Sequence, residues 1–541
     1  LLTSMALAVS VVRLAQNRTL IHEMNAIETL ARVDVLCVDK TGTITSPQMQ
    51  VREVLALAPE RWSQRQAAEV LGAFYHALEP DNDTARAIAG KFTQNPGWRC
   101  GSSVPFSSAS KWSAVTFEEQ GTFVLGAPEY VLGGDAEALR PRIQGYAEEG
   151  CRVLVLARCE GAEEGRLSGR PEPIALLVLE NPVRPNAPGV FAYFREQGVA
   201  VKVISGDNPV TVSAVSAQAG IEGAGDWIDA RELKNEQDIA RAVREYTVFG
   251  RVAPEQKRQI VRALQAEGRT VAMTGDGVND SPALKAADIG VAMGINGTDV
   301  AKDASDMILL DDSFTTIAYA IKEGRRVYRN IQKVIQFLLV GNIAEILTLF
   351  TATLFNWDAP LLAVHILWVN LATATLPALA LGVDPASKNI MKHQPVKSGT
   401  LFEKDLVHRV ITQGVFVAAM TICAYWIGAE MSGHTAGQTM AFCVLALSQM
   451  LRAFNQRSNT EPIWVREEGV NPWLILSFAA SALLMGCILF IPALQSAFRL
   501  TLLNTAQWSV VIGLSLLSIV QVEVVKLVKK IGQKAGRPAE R

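Results

Sequence analysis

Long apolar segments fill the C-terminal part of this chain, and they restrict its fold more than any other feature. Six candidate membrane spans lie at about 331–355, 361–382, 406–429, 438–454, 472–492 and 506–527. Each is close to the roughly 20 apolar residues that an α-helix needs to cross a bilayer. A helix satisfies its own backbone hydrogen bonds in lipid, where no water can do so. The sequence therefore predicts an α-helical transmembrane bundle of six helices over residues 321–541.

Lysine and arginine are concentrated in alternate loops between these spans and in the tail. The basic residues are Lys388, Lys392, Lys397 and Lys404, then Arg452, Arg457 and Arg466, and finally Lys529, Lys530, Lys534 and Arg537. The positive-inside rule places these segments, and the soluble part that precedes them, in the cytoplasm. Residues 1–32 begin with another apolar stretch, Leu1–Leu14. We interpret 1–32 as a partial transmembrane helix and its stalk.

Before residue 321 the apolar runs are short, and helical stretches separate them. The runs are Val33–Val38, Ile174–Leu179, Val199–Ile204, Tyr246–Phe249, Thr270–Met273, Ile289–Ala292 and Met307–Leu310. This alternation is typical of a doubly wound parallel sheet that carries ligand-binding groups at the strand ends. Between 51 and 172 the pattern changes to short alternating runs and a helix over Gln64–Ala77. We therefore predict a discontinuous α/β domain, 33–50 and 173–320, with an inserted α+β domain at 51–172.

Charge and cysteine content indicate which partners and which redox environment to expect. The formal net charge is −2, so no overall positive field would attract nucleic acid, and we expect no nucleic-acid partner. The seven cysteines form no Cys-x-x-Cys pair and are typical of reduced thiols in a protein that faces the cytosol.

Asp39 opens the run Asp-Lys-Thr-Gly-Thr-Ile-Thr directly after the apolar strand Val33–Val38. A carboxylate at a strand end can reach a ligand above the sheet, attack phosphorus and form an aspartyl phosphate. Phosphatases of the haloacid-dehalogenase type share this arrangement but carry a second aspartate two residues on. Thr41 occupies that position here. Without the second carboxylate, water is poorly activated, so we expect the acyl phosphate to persist.

A second motif, Thr-Gly-Asp-Gly-Val-Asn-Asp, follows the strand Thr270–Met273. Asp276 stands at the end of that strand, where it could hold Mg²⁺ together with Asp39. The two motifs resemble those of the P-type ATPases. The resemblance implies a haloacid-dehalogenase-like (Rossmann-type) phosphorylation domain, an inserted nucleotide-binding domain, and ATP and Mg²⁺ as substrate and cofactor. It implies catalytic roles for Asp39, Thr41, Lys257, Asp276, Asn279 and Asp280, of which Asp39, Thr41 and Asp276 would hold Mg²⁺.

Nucleotide contacts are also implied by the resemblance. The residues concerned are Asp83, Phe106, Lys111 and Arg152 in the inserted domain, and Ser205, Gly206 and Asp207 after the strand Val199–Ile204. Phe106 would stack on the adenine base, and Lys111 would approach the ribose or the phosphates. The chain departs from the family at Leu125, where the family has a lysine. Glu180–Arg184 resembles the family's hinge, with Asn181 in place of its aspartate.

Polar residues in the first two full spans are the candidate ligands of a transported ion. Asn342 and Glu345 lie three residues apart, as do Asn370 and Thr373, so each pair shares a helix face. The second span resembles the same helix in Ca²⁺-ATPases of the sarco/endoplasmic reticulum type, but Ala374 replaces their aspartate. Gln449 stands where many relatives have glutamate. We expect at most one ion site; the alternative is that Asn370 and Thr373 only join helices by hydrogen bonds.

The function predicted is ATP-driven cation transport through an aspartyl phosphate, with Ca²⁺ as the first candidate ion and Mn²⁺, Mg²⁺ or H⁺ as alternatives. The family's actuator domain and one membrane glutamate would lie before Leu1, so we expect the N-terminal part of the same pump as a partner. The expected location is a bacterial plasma membrane. Two other functions stay open: a membrane-tethered phosphatase of the haloacid-dehalogenase type, and a transport-inactive regulatory protein.

Overall fold

A computed structural model describes residues 2–46, 48–107, 110–163, 165–387, 390, 404–459, 461–463 and 469–535. Five of the basic residues used for orientation lie outside these ranges: Lys388, Lys392, Lys397, Arg466 and Arg537. The chain divides into two compact units. The sheet unit comprises Arg18–His22 and Val33–Ala318, and the helical unit comprises Leu1–Asn17, Glu23–Arg32 and Tyr319–Arg541.

The described part of the sheet unit contains sixteen strands. In chain order they are β1 (Thr19–Ile21), β2 (Val35–Val38), β3 (Gln50–Ala56), β4 (Cys100–Val104), β5 (Trp112–Phe117), β6 (Gly121–Gly126), β7 (Arg152–Cys159), β8 (Gly161–Glu163), β9 (Arg166–Ser168), β10 (Glu172–Glu180), β11 (Ala200–Ile204), β12 (Trp227–Asp229), β13 (Val248–Gly250), β14 (Val271–Gly275), β15 (Ile289–Met293) and β16 (Met307–Leu309).

Eight strands form a sheet in the order β1-β16-β15-β14-β2-β11-β13-β12. All neighbours are parallel except the edge pair β1 and β16. Every residue of the central strand β2 is buried, as expected where helices cover both faces of a sheet. After β2 the chain builds β11, β12 and β13 on one side of that strand, and it then builds β14, β15 and β16 on the other side. The strand order therefore reverses at β2. The predicted doubly wound fold is confirmed.

The sheet unit also contains a six-stranded antiparallel sheet, β3-β10-β7-β6-β5-β4, and the small pair β8-β9. The helix Gln64–Ala77 packs against it and begins at a capping box, in which Ser63 and Gln66 satisfy each other's backbone groups. The run Ile174–Leu179 was wrongly assigned to the parallel sheet. It lies in β10 and pairs antiparallel with β3 and β7. A strand buried on both faces has the same apolar pattern in either kind of sheet.

Two short segments connect the antiparallel sheet to the loop after β2, and they form a neck. Ser46 N donates to Pro182 O at 2.9 Å, and Asn181 Nδ2 donates to Ser46 O at 3.1 Å. Thr45 and Val183 form an isolated antiparallel bridge. Entry to the inserted region and exit from it therefore lie side by side.

The remaining helices of the sheet unit are short. They span Asp83–Lys91, Pro128–Val131, Arg140–Glu148, Ala187–Glu196, Pro209–Gln218, Glu236–Glu245, Pro254–Ala266, Ser281–Ala286 and Asp299–Asp303, with 3₁₀ turns at Gly133–Leu139, Ala230–Glu232 and Val278–Asp280. Several begin with proline in the first turn, where its missing N–H costs nothing. Pro254–Ala266 buries Ile260, Val261 and Leu264 against the parallel sheet, and this packing fixes the start of the helix next to the sheet edge.

The helical unit contains Leu2–Gln16, Asn25–Leu30, Phe314–Leu354, Ala363–Trp368, Thr375–Gly382, Lys404–Ser432, His434–Asn455, Pro472–Phe490, Pro492–Ala497 and Thr505–Ala535. Five helices among the described residues are long and apolar enough to cross a membrane: Thr315–Leu354, Ala363–Gly382, Lys404–Ser432, Pro472–Phe490 and Thr505–Ile531. The predicted span 438–454 is not one of them. It lies in the helix His434–Asn455, which is more polar and almost wholly buried among its neighbours. Arg452, which we expected in a loop, is buried in this helix and donates to Gln413 Oε1 at 2.6 Å.

The second of these five spans is not a regular helix. A wide π turn over Val369–Ala374 separates Ala363–Trp368 from Thr375–Gly382. Side-chain hydroxyls compensate part of the irregular backbone. Thr375 Oγ1 donates to Asn370 O at 2.8 Å, and Ser481 Oγ donates to Ala372 O at 3.1 Å. The irregular turn contains Asn370 and Thr373, two of the candidate ion ligands.

Candidate functional site

Asp39 lies at the point where the strand order of the parallel sheet reverses. It follows β2, and its two neighbouring strands are β14 and β11. Asp276 follows β14, and Ser205 follows β11. Because the carboxyl ends of parallel strands meet at one edge, the three motif loops converge there, and crevices at such reversals are where ligands bind in α/β sheets.

A buried lysine joins two of the carboxylates at this edge. Lys257 Nζ donates to Asp39 Oδ2 at 2.7 Å and to Asp280 Oδ1 at 2.6 Å. The side chains of Lys257 and Asp280 are 5% and 3% exposed, whereas that of Asp39 is 14% exposed. Asp39 is thus the member of this cluster that a ligand can reach. Its other oxygen, Oδ1, accepts a hydrogen bond from Lys40 N at 2.6 Å.

Electrostatic strain in the cluster is visible in the pKa values. Burial raises the pKa of Asp39, and Asp280 raises it further, although Lys257 opposes both effects. Burial also raises the pKa of Asp276 to about 6, and the negative charges of Asp39 and Asp280 contribute to that rise. Burial lowers the pKa of Lys257, but the two aspartates outweigh burial and the pKa is raised. Three carboxylates around one ammonium leave an excess of negative charge, which a divalent cation would neutralise.

Gly42 brings the loop after Asp39 close to Asp276. Its φ is +71°, and a Cβ atom at this position would lie 2.2 Å from Asp276 Oδ2. Only glycine combines this backbone conformation with such a close approach. Thr298 N donates to Asp276 O at 2.8 Å and fixes the second loop from its other side. Asp39 and Asp276 are therefore held at one place, while Thr41 and Asn279 are exposed beside them.

Two further residues hold the Asp39 loop, and both have signals in the sequence. Lys40, which is buried, forms an ion pair with Asp207 of the loop after β11. Arg184, from the segment that resembles the family's hinge, donates from Nη2 to Gly42 O at 2.6 Å, and its backbone N donates to Ile44 O at 3.0 Å. The nucleotide contact of Asp207 stays a prediction, and the sequence assigns no definite role to Lys40 or Arg184. In the structure all three fix the shape of the loop.

Ser205 and Gly206 occupy the start of the loop that carries Asp207. Ser205 is buried, and its Oγ accepts from Asp207 N at 3.3 Å. Gly206 is exposed. The loop is therefore built by its own hydrogen bonds and presents the backbone of Gly206 toward the outside.

The nucleotide candidates of the inserted region lie at one end of the antiparallel sheet. Phe106 and Lys111 are on the loop between β4 and β5, and both are exposed. Arg152 begins β7 at the same end and donates from Nη1 to Thr84 Oγ1 at 3.0 Å. Asp83, next to Thr84, forms an ion pair with Arg86 at 2.7 Å. These side chains are available to a ligand, but the structure shows no direct contact among the four candidates.

Leu125 explains one departure from the family pattern. Its side chain is 3% exposed and packs in the core between the sheet and the helix Gln64–Ala77. The position therefore contributes packing and offers no group to a nucleotide.

The candidate ion ligands are only partly brought together. Glu345 is buried, and its Oε2 accepts from Asn370 Nδ2 at 2.9 Å. Thr373 is buried and donates to Val369 O in its own helix at 2.8 Å. Asn342 is exposed and takes no part in this contact. The contact between Glu345 and Asn370 joins the helix Phe314–Leu354 to the irregular span.

A third helix contributes a carboxamide to the same place. Gln449 Nε2 approaches the backbone of Gly341 so closely that a Cβ atom there would lie 2.4 Å away. Among the described residues, Glu345 Oε1 and Gln449 Oε1 are both buried without a partner at full hydrogen-bonding geometry, although the Gln449 side chain lies close enough to Glu345 to interact with it. Buried oxygens of this kind ordinarily have a donor or an ion nearby. They are the groups that a bound cation would satisfy.

Comparison with protein families divides the chain in the same way as its fold. Residues 33–288 and 256–321 match families described as haloacid dehalogenase-like hydrolases. Residues 358–528 match the family described as cation transporting ATPase, C-terminus. The first two matches cover the parallel sheet and its insertion, and the third covers most of the helical unit.

Individual relatives match almost the whole chain. The calcium-transporting ATPase CtpE of Mycolicibacterium smegmatis is 35% identical over 97% of this chain and 65% of its own length. Calcium-transporting ATPase 1 of Bacillus cereus is 34% identical over 98% of this chain and 67% of its own length. The calcium-transporting ATPase type 2C member 1 of Bos taurus is 29% identical over 99% of this chain and 63% of its own length. The chain thus spans about two thirds of the relatives it matches.

Proposed function

Because the chain belongs to the family of P-type Ca²⁺-transporting ATPases, we propose that it carries the phosphorylation and ion-translocating parts of an ATP-driven cation pump. The observation that carries the proposal is the cluster of Asp39, Lys257, Asp280 and Asp276 at the reversal point of the parallel sheet. The complete pump would also need the part of the relatives that this chain does not span. ATP and the cation are its substrates, and the lipid bilayer surrounds its helical unit.

Asp39 is the proposed nucleophile. One carboxylate oxygen attacks the γ-phosphorus of ATP, the bond to the bridging oxygen breaks, and ADP leaves with that electron pair. The hydrogen bond from Lys40 N holds the carboxylate in place, and the other oxygen is the one paired with Lys257. Thr41 stands where a phosphatase would carry its second carboxylate, which supports a long-lived aspartyl phosphate over rapid hydrolysis.

Lys257 supplies positive charge where the transferred phosphoryl group becomes more negative. Its ammonium group is buried, so its attraction is weakly screened by water. Asp280 accepts a second hydrogen bond from this ammonium group, in addition to the one that Asp39 accepts. The proposed role of Asp280 is therefore to position Lys257, and that of the exposed Asn279 is to orient the phosphate.

The residues around Asp39 fit a Mg²⁺ ion. Asp39 and Asp276 would hold it, with Thr41 beside them, and when bound it would screen the repulsion between the carboxylates and the phosphate. Burial raises the pKa of Asp276, and the charges of Asp39 and Asp280 raise it further, so a bound cation would stabilise its ionised form. Within the described residues, no three His, Cys, Asp or Glu side chains form a metal cluster by themselves. Phosphate oxygens of ATP would complete the coordination, as is usual for Mg²⁺.

ATP would bind at the end of the antiparallel sheet that presents Phe106, Lys111 and Arg152. The exposed ring of Phe106 can stack on adenine, and the two cations can contact the phosphates or the ribose. Asp83 lies near Arg152 through the hydrogen bond of Thr84, and it is the proposed acceptor for a nucleotide hydroxyl. The exposed Gly206 would contribute a backbone group at the parallel sheet.

The proposed cation is Ca²⁺, since the relatives are named calcium-transporting ATPases. Glu345, Asn370 and Gln449 would supply oxygen atoms, of which two are buried without partners at full hydrogen-bonding geometry. Ca²⁺ takes six to eight oxygens, so this set is only part of a site. With one carboxylate in it and Ala374 in place of the family's aspartate, a single ion is the expected occupant. The proposed location is a bacterial plasma membrane with the sheet unit in the cytoplasm.

Phosphorylation by labelled ATP tests the proposal. We expect an acid-stable label that hydroxylamine removes, dependent on Mg²⁺ and stimulated by Ca²⁺, and lost in Asp39→Asn. The matched control is Asp299→Asn, since the side chain of Asp299 is 98% exposed and should not affect the label. Label that survives Asp39→Asn contradicts the proposal. Stimulation by Mn²⁺ or by lower pH in place of Ca²⁺ would leave the phosphorylation mechanism standing and change the ion.

A further inference from the structure

Asp384 is a fully buried carboxylate just after the irregular span ends at Gly382. Three side chains donate to it. Lys333 Nζ lies 2.8 Å from Oδ2, and both Arg457 Nε (3.0 Å) and Asn471 Nδ2 (2.9 Å) donate to Oδ1. A buried carboxylate is tolerated only when it is paired and hydrogen-bonded in this way.

The donors come from three different parts of the helical unit. Lys333 belongs to the helix Phe314–Leu354. Arg457 follows the helix His434–Asn455, and Asn471 caps the helix Pro472–Phe490 through its own Oδ1. One carboxylate therefore joins the irregular span to three other helices.

The backbone around Asp384 is held as well. Asn330 Nδ2 donates to Gly382 O at 3.2 Å and to Asp384 O at 2.9 Å. Asn471 Nδ2 also donates to Ala380 O at 2.9 Å. The last turn of the span is thus fixed on the helix Phe314–Leu354 by backbone contacts in addition to the ion pair.

The same two elements meet again at the candidate ion site. Glu345 of the long helix accepts from Asn370 of the irregular span. Lys333 and Glu345 are twelve residues apart, which is roughly 18 Å along a helix at 1.5 Å per residue. The contact of Asn370 lies within the irregular turn Val369–Ala374, and the helix Thr375–Gly382 connects that turn to Asp384. Any slip of the span at Asp384 would therefore displace Asn370 relative to Glu345.

We propose that Asp384 is a positioning residue for the cation site. Its contact with Lys333 fixes the end of the irregular span on the long helix, and its contacts with Arg457 and Asn471 hold it to two further segments. This alignment sets the distance between Asn370 and Glu345. The inference rests on the proposed function, because it concerns the affinity of the cation that the pump would carry. A residue with only a structural role would lower the amount of folded protein without changing cation affinity.

The substitution Asp384→Asn separates these roles. It keeps the shape and one oxygen acceptor but removes the negative charge that faces the buried Lys333 and the partly exposed Arg457. We expect the cation concentration that half-activates phosphorylation by ATP to rise about tenfold, since loss of partners that orient ligands typically costs ten- to a hundredfold in metal affinity. The maximal label at saturating cation should stay within about twofold of the parent, because Asp39 is unchanged. The measurement is made on the complete pump in membranes, normalised to folded protein.

Glu523→Gln is the matched control. Glu523 is also buried and pairs with Lys526 at 2.8 Å in the helix Thr505–Ala535. Lys526 Nζ donates to Asn455 O and Glu523 Oε2 accepts from Ile463 N, so these contacts hold the segment after His434–Asn455 and involve neither the irregular span nor the helix Phe314–Leu354. Its half-activating cation concentration should equal that of the parent. An unchanged concentration in Asp384→Asn, with full labelling, overturns the inference. An equal shift in Glu523→Gln overturns it as well, because the effect would then be general.

A second variant serves if Asp384→Asn does not fold. Asn471→Ala removes one donor to Asp384 and to Ala380 and keeps both cations paired with the carboxylate. We expect the half-activating concentration to rise about threefold, a smaller shift because one neutral donor is lost and not a charge. No shift overturns the inference. If the parent protein takes no label from ATP at all, the proposed function itself has failed, and that outcome is distinct from every result above.

Discussion

Two carboxylates pair with one lysine at the Asp39 site and a third, Asp276, lies against the same loop, whereas one carboxylate meets two carboxamides at the Glu345 site. The first cluster is held by loops that converge on one sheet edge and carries excess negative charge. The second is assembled from three helices and leaves two oxygens without partners at full hydrogen-bonding geometry. The proposed phosphoryl transfer at Asp39 would therefore depend on charge already fixed in place. The proposed ion affinity at Glu345 would depend instead on how the helices are aligned.

The largest expected effect comes from removing the positive charge of Lys257 at the Asp39 site. Lys257→Met leaves Asp39 and Asp280 facing each other without compensation, so it should reduce phosphorylation by ATP about 10³-fold, at the upper end of the loss seen for an electrostatic catalytic group. Lys285→Met, at an exposed lysine of the same unit, is the control and should label normally. If Lys257→Met retains most of its phosphorylation, the positive charge of Lys257 is not needed for phosphoryl transfer.

Backbone placement can be tested at Gly42. In Gly42→Ala the added Cβ would lie 2.2 Å from Asp276 Oδ2 at a φ of +71°, so the loop or the carboxylate must move. A displacement of about 1 Å at a reacting centre costs about 10²-fold, and we expect a loss of that size in the rate of labelling. Gly189→Ala, in a helix with open space around the new methyl group, should change nothing. Equal rates for both variants would mean that the approach of the two loops is not needed.

The negative charge of Glu345 can be removed with little change in the shape of the side chain. Glu345→Gln should weaken cation activation of phosphorylation about 10- to 100-fold and leave the maximal label nearly intact, because ligand charge tunes the affinity of hard cations. Glu430→Gln, at an exposed carboxylate near the end of Lys404–Ser432, is the control. If both variants require the same cation concentration as the parent, the transported ion does not use Glu345.

Lowering the pH should weaken Mg²⁺ binding at the Asp39 site through Asp276, whose pKa burial raises to about 6. Below that pH Mg²⁺ must displace a proton, so its apparent affinity should fall about tenfold per pH unit, and above it this group adds no further dependence. The folded state holds the proton more tightly than the unfolded chain does. The charged form therefore destabilises the fold increasingly as pH rises from 3.8 toward 6, and the full penalty persists above.

Magnesium titrations of the label at about pH 5, 6 and 7 measure this dependence. Asp276→Asn has no proton to displace and should give a flat response with weaker Mg²⁺ activation throughout. A parent protein that is equally insensitive to pH would show that Asp276 is not a ligand.

Sequence alone could place the motif residues at the strand ends, because buried apolar runs and the chain order of β2, β11 and β14 determine which loops share an edge. It could not place Lys257 by pattern. That lysine reaches Asp39 from the start of a helix whose packing on the sheet is a tertiary effect, and only the resemblance to a family pointed to it. The assignment of Ile174–Leu179 failed for a similar reason, since the run does not reveal its pairing partner.

In the helical unit, local sequence predicted less. The buried helix His434–Asn455 carries polar side chains that face other helices, so its mean hydropathy understates how deeply it lies in the bundle. The contacts of Asp384 come from positions 330, 333, 457 and 471, which have no spacing in common. The sequence of one segment therefore does not predict its partner in another, and only the folded structure shows which residues are in contact.

The neck at Thr45, Ser46, Asn181 and Val183 has a consequence for how such a protein can change over time. The two ends of the antiparallel insertion leave the parallel fold at one place. The entropic cost of bringing these two ends together therefore depends only weakly on the length of the insertion. The insertion could therefore grow, shrink or be exchanged among descendants while the chemistry beside β2 stays intact. Selection on nucleotide preference and selection on phosphoryl transfer would then act on separable parts of one gene product.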